Sequence, residues 1–242
     1  MRLLPDVNVI IARENRHHRM FRAVTTYLAA HKRRSVDVLA HVKKVFIVVY
    51  KKYLYDSALI IDYALNQALN NDTQTSNPFA VITYVQQHLD ETLEELGNEE
   101  AFNRMAVTEF IDDLLAEYSI PELYHNPQAR ADFREEYTAS AEQRAVDALN
   151  AFLTFFEEFE ILHTHEYATN PIIWQRRLQE TNPPFSTQTS QEDLQLAAEL
   201  LSYHEKNTKA IFCTCDKQLS KALKTLKHPK KPALGRIDYI TP

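Results

Sequence analysis

Met1-Arg-Leu-Leu-Pro-Asp-Val-Asn-Val-Ile10 is the stretch on which the reading of the fold turns. Leu3, Leu4, Val7, Val9 and Ile10 form an almost continuous apolar run, the pattern of a strand buried on both faces of a parallel sheet. Asp6 and Asn8 interrupt the run two residues apart. On an extended chain, residues i and i+2 share a face, so both polar groups would point to one spot. A carboxylate is costly to bury unless it is paired or bound to a cation. The same two residues also suit a turn or helix-cap pair behind a shorter strand.

A matching pattern lies near the other end. Ala210-Ile-Phe-Cys-Thr-Cys-Asp216 is a second short apolar run that ends in an aspartate. Upstream, Asp193-Leu-Gln-Leu-Ala-Ala-Glu-Leu-Leu201 predicts a helix with Asp193 in its first turn. Open α/β sheets place ligand sites where strands end and helices begin. Three carboxylates reaching such ends, Asp6, Asp193 and Asp216, suit a hard divalent cation, because Mg²⁺ and Mn²⁺ prefer oxygen ligands. Ser190-Gln-Glu-Asp193 also reads as a helix cap, which is compatible with metal binding by the same Asp193.

Leu4-Pro-Asp-Val-Asn-Val-Ile10, Glu192-Asp193-Leu-Gln-Leu-Ala-Ala198 and Cys213-Thr-Cys-Asp-Lys217 resemble the three best-marked motifs of PIN-domain nucleases. Their order and placement match: first strand, late helix, and the strand directly after it. The resemblance implies a three-layer α/β/α sandwich with a short parallel sheet. It also implies Mg²⁺- or Mn²⁺-dependent hydrolysis of RNA, with DNA as a second substrate class. Asp6, Asp193 and Asp216 would be the catalytic metal ligands, and Asn8 and Thr214 would orient them from behind. A homodimer and an antitoxin-like protein partner belong to the same set of expectations.

One departure stands out. The helix after the second strand of PIN domains usually supplies a glutamate to the metal. In His41-Val-Lys-Lys-Val-Phe46, Val45 stands where that carboxylate is expected, and no acidic residue lies between Asp37 and Asp56. Asp56 would be about 16 Å farther along a helix. A PIN-like nucleic-acid-binding or scaffold protein without chemistry is therefore the rival reading. A third is an α/β regulator whose acids are caps.

Composition narrows the alternatives. The chain has only two glycines, where average usage of about 7% would give roughly seventeen. Phosphate-cradling loops need several glycines close together, which excludes Walker A and dinucleotide fingerprints. Cys213 and Cys215 cannot form a disulfide framework, and no apolar stretch nears the roughly 18 residues of a membrane span. These features predict a cytoplasmic protein with no membrane association.

The net charge of −6 conceals an asymmetry. Residues 1–55 hold 12 Lys and Arg against 3 acids, and residues 203–242 hold 9 against 3. Residues 56–202 hold 6 against 27. The basic ends flank the acidic motifs and suit a phosphate backbone, with Arg16, Arg19, Lys43, Lys44 and Lys217 as contacts. Solvated helix faces account for the same charges equally well.

Between these ends the pattern predicts a helix over 13–31, a strand over 35–40, and a long helix over 41–69. Several acidic amphipathic helices follow from 79 to 159. The whole chain, 1–242, reads as a single PIN-like domain with 70–159 as a helical insertion or subdomain. His163 and His165 on a predicted strand could bind a transition metal but have no third ligand nearby. Trp174 beside Arg176 and Arg177 reads as a nucleic-acid stacking group or as a packing anchor.

Overall fold

The computed structural model describes residues 2–71, 77–97, 103–162, 171–180, 190–206, 210–226 and 236–241. It is an α/β fold, mostly helical, with one parallel sheet of five short strands. His163, His165 and Lys227 lie outside the described residues.

The first strand, β1 (Arg2–Pro5), is shorter than the apolar run predicts. The run continues as a helix, α1 (Val7–Glu14), which buries Val9, Ile10, Ile11 and Ala12. Asp6 makes the switch: its side chain accepts from the Val7 N–H at 2.7 Å, and its carbonyl accepts from Val9 and Ile10. A short apolar run does not by itself distinguish a buried strand from a buried helix. Asn8 is consequently exposed on the first turn of α1, not beside Asp6 on a strand edge.

The helix predicted over 13–31 is likewise split. Buried Asn15 accepts from the His17 N–H through Oδ1, a local turn that ends α1, and α2 (Phe21–Ala30) begins only after it. Strand β2 (Val36–Val38) follows, then α3 (Ala40–Asn71). Helices α4 (Pro78–Leu96), α5 (Arg104–Glu117), α6 (Ile120–His125), α7 (Pro127–Arg134) and α8 (Ala141–Thr154) come next. A π-helical turn, Glu135–Ala139, joins α7 to α8. The chain ends with β3 (Phe159–Ile161), α9 (Pro171–Glu180), α10 (Gln191–Lys206), β4 (Ala210–Thr214), α11 (Lys217–Thr225) and β5 (Arg236–Tyr239).

The strands run in the order β3-β2-β1-β4-β5, all pairs parallel, with Leu3 opposite Val36 on one side and Ile211 on the other. Parallel neighbours need a crossover connection. The one from β2 to β3 is much the longest, running from α3 to α8.

Contacts divide the chain into two compact units. The first holds 1–14, 20–46 and 148–242, and the second holds 15–19 and 47–147. The sequence places the helical insertion at 70–159; the second unit instead takes in most of α3 and ends within α8. Every described element in it is a helix, with Phe110, Phe133 and Tyr137 fully buried.

In the first unit, Leu3, Leu4, Val36, Val38, Ile211 and Phe212 form the sheet core. One polar network crosses it. Asp37 on β2 accepts from Arg2 Nη1 at 2.7 Å and from the Tyr203 hydroxyl at 2.6 Å, which joins β1, β2 and α10. Asp37 is 1% exposed and Arg2 45%, so the carboxylate bears the larger desolvation cost. Arg2 is stabilised in its charged form by Asp37. Asp37→Ala is expected to destabilise the protein by about 1–3 kcal/mol, since it removes the buried acceptor shared by Arg2 and the Tyr203 hydroxyl. Tyr203→Phe should cost about 1 kcal/mol. Urea denaturation followed by circular dichroism measures both.

Candidate carboxylate site at the ends of the central strands

Asp6 directly follows β1, and Thr214 is the last residue of β4. The β1–β4 register sets Pro5 opposite Cys213, and the Asp6 N–H donates to the Cys213 carbonyl at 2.9 Å. This pairing brings the two side chains together. Thr214 Oγ1 donates to Asp6 Oδ2 at 2.7 Å and accepts from the Asp216 N–H at 2.9 Å. With Val7 N–H on Oδ1, both oxygens of Asp6 are held, each by a neutral donor.

Asp6 is 4% exposed. Burial pushes its pKa up to about 6, against the opposing pull of Thr214 and Val7, and the nearby charges of Asp193 and Asp216 push it up further. Asp193 is also raised, chiefly by burial, with Asp216 among the contributors. Asp6 thus feels the charge of both later aspartates, and Asp193 that of Asp216. Among the described residues, however, no three His, Cys, Asp or Glu side chains stand at the spacing of a ready metal-ligand set.

The two later aspartates also act as caps. Asp216 Oδ1 accepts from Gln218 and Leu219 N–H groups at 2.7 and 2.8 Å, and so starts α11. Asp193 Oδ2 accepts from Ser190 N–H at 3.4 Å, while its own N–H donates to Ser190 Oγ at 3.1 Å. This reciprocal pair is a capping box with aspartate in the glutamate position. In each case the named bonds engage one carboxylate oxygen.

Other candidate residues are scattered differently. Lys217 is exposed at the start of α11, and Lys43 and Lys44 lie half-buried and exposed in the first turns of α3. Arg16 and Arg19 are exposed in the second unit, where the Arg19 N–H donates to Glu109. Val45 is half-buried. Trp174 is buried with the Arg177 guanidinium 5.0 Å from its ring centroid, which is the packing arrangement.

Sequence reasoning missed Glu199. It is 2% exposed on α10, and its Oε2 accepts from the His41 N–H at 3.3 Å. Helix α3 has no acidic residue in its own first turn, so Glu199 meets the positive end of its dipole from outside. The His41 ring is held neutral mainly by burial, and it reaches the backbone of Glu192. The available signal was a lone acid within the apolar run Leu196-Ala-Ala-Glu-Leu-Leu201.

Comparison with protein-family models, with curated proteins and with solved structures returns no match.

The Asp6 carboxyl resonance should titrate with a midpoint near pH 6 by carbon-13 NMR. Asp193→Asn and Asp216→Asn should each lower that midpoint, because each removes a repelling charge. The folded pKa of Asp6 lies above its ordinary value of 3.8, so the folded state binds the extra proton. Its contribution to stability is full below pH 3.8 and is lost as pH rises through about 6, a change on the order of 3 kcal/mol. Asp6→Asn should flatten this part of the pH–stability curve.

Proposed function

We propose that this protein is a PIN-like, metal-dependent ribonuclease that hydrolyses phosphodiester bonds of RNA at Asp6, Asp193 and Asp216. The observation that carries the reading is where Asp6 sits. The chain builds outward from β1 to β2 and β3, then returns to β1's other side for β4 and β5. The crevice between the carboxyl ends of β1 and β4 is thus the topological switch point, the usual ligand site of an open parallel sheet. Asp6, Thr214 and Asp216 stand there, and Asp193 adds its charge. Helices on both faces of the sheet, in three layers, would complete the PIN-like arrangement proposed.

An all-oxygen set of three carboxylates suits Mg²⁺ or Mn²⁺ chemically. The upward pKa of Asp6, caused first by burial and in smaller part by Asp193 and Asp216, supports the fit, since a cation would offset the cost of a buried charge. Bound by these residues, the ion would acidify a water and offset charge on the attacked phosphate. Thr214 fixes the direction of the Asp6 carboxylate. The caps at Ser190 and on α11 steady Asp193 and Asp216. Lys217, Lys43 and Lys44 would meet backbone phosphates of the RNA.

Val45, in place of a carboxylate, favours a second reading, a PIN-like protein that binds RNA without cutting it. Single-stranded RNA incubated with Mn²⁺ distinguishes the two. Cleavage that Asp6→Asn abolishes, with RNA binding retained by fluorescence anisotropy, supports the nuclease. Binding with no cleavage supports the second reading. Thr214→Val should lower cleavage by about 10–100-fold, because it frees the Asp6 carboxylate to turn.

Val45→Glu is expected to raise cleavage and lower the Mn²⁺ concentration it requires. The half-buried position leaves a glutamate stem a route to water. Thermal melts with and without Mn²⁺ check the cause. A variant that Mn²⁺ stabilises has gained a ligand, whereas one that is destabilised and indifferent to Mn²⁺ has only lost a packing residue.

A further inference from the structure

The second unit contains an open groove of about 520 Å³ that the carboxylate chemistry does not use. Its walls are two helix faces. Ile82 and Gln86 come from α4, and Asp112, Leu115 and Ala116 from α5, with Ile120 of α6 at one end. Both helices contribute residues at three- and four-residue spacing, so the groove runs along an axis instead of closing around a point. Phe79, one turn before Ile82 on α4, is 80% exposed.

The second unit is acidic as a whole: 15–19 and 47–147 carry 19 Asp and Glu against 8 Lys and Arg, with His17 of the short segment lining the groove. In the groove itself Asp112 is exposed beside half-buried Leu115 and Ile82. Apolar floors between parallel helix faces accept amphipathic helices, whose i, i+3, i+4 and i+7 residues fill them. Complementary charge on the flanks then selects the partner and speeds its approach.

We infer that this groove docks an amphipathic helix of a partner protein, apolar on one face and rich in Lys or Arg on its flanks. The inference is independent of the nuclease reading, because every residue in it belongs to the second unit. It adds a protein-recognition surface built on the acidic half of the chain.

The test uses the full chain and a fluorescein-labelled 18-residue peptide of Leu and Lys, with Leu confined to one helical face. A scrambled peptide of the same composition and a Leu/Glu peptide of the same pattern serve as controls. Anisotropy should show saturable binding of the first peptide, at least about tenfold weaker binding of the scrambled one, and none of the acidic one. Ala116→Arg fills and recharges the exposed floor and should weaken binding about tenfold or more. Glu142→Arg, on α8 outside the groove, makes a larger charge change and should alter binding by less than about twofold. Circular dichroism melts confirm that Ala116→Arg is folded, and Ile82→Ser gives a second groove variant with the same expected loss. Equal binding of the scrambled peptide, or indifference to both groove variants, would overturn the inference in favour of general charge attraction. A concentration-dependent dimer of the unmodified protein that Ala116→Arg dissolves would also overturn it, by making a second copy the occupant.

Discussion

The structure of the first unit turns on a carboxylate enclosed where β1 ends. Asp6 terminates the strand, begins α1 and meets Thr214 across the sheet, and its two oxygens are held by neutral donors alone. Burial disfavours its charge, and two further aspartates disfavour it again. An apolar residue at position 6 would avoid the desolvation cost, though it would lose the bonds to Val7 and Thr214. Strain of this kind gathers where a fold serves a ligand. That is the physical basis for proposing a site at the ends of β1 and β4.

The scaffold around Asp6 is stiffened by groups that each do two things. Asp216 caps α11, and its N–H is bound by the same Thr214 hydroxyl that orients Asp6. Asp193 closes a capping box at the start of α10 while contributing charge to Asp6. Farther along α10, Glu199 meets the first turn of α3, and Tyr203 reaches Asp37 on β2. One helix thus carries a candidate ligand at its first turn and two buried anchors behind it. Movement of Asp193 would require repacking those anchors.

Much of this was legible in short segments. The runs Leu3–Leu4 and Ala210–Cys213 announced buried parallel strands, and Ser190 to Asp193 announced a helix start, because caps and apolar runs depend on near neighbours. The end of β1 was not legible. Val7, Val9 and Ile10 suit a strand or a buried helix face equally, and the choice fell to the Asp6 backbone and side-chain bonds that open α1. Asn8 moved from a supposed strand edge to an exposed helical turn for that reason alone. The break at Asn15 was missed likewise, since a buried local turn leaves no periodic trace.

The sequence by itself determined the alternation of parallel strands with helices, the lack of a glycine-rich phosphate loop and the acidic character of the middle of the chain. These follow from composition and from neighbours within a few residues. Only the tertiary structure decided that Asp37 is spent on Arg2 and Tyr203, that Glu199 serves α3, and that most of α3 belongs with the helical unit. Those outcomes depend on partners 35, 166 and 158 residues away along the chain. Pairing across such distances is set by strand register and helix packing, which no local pattern encodes.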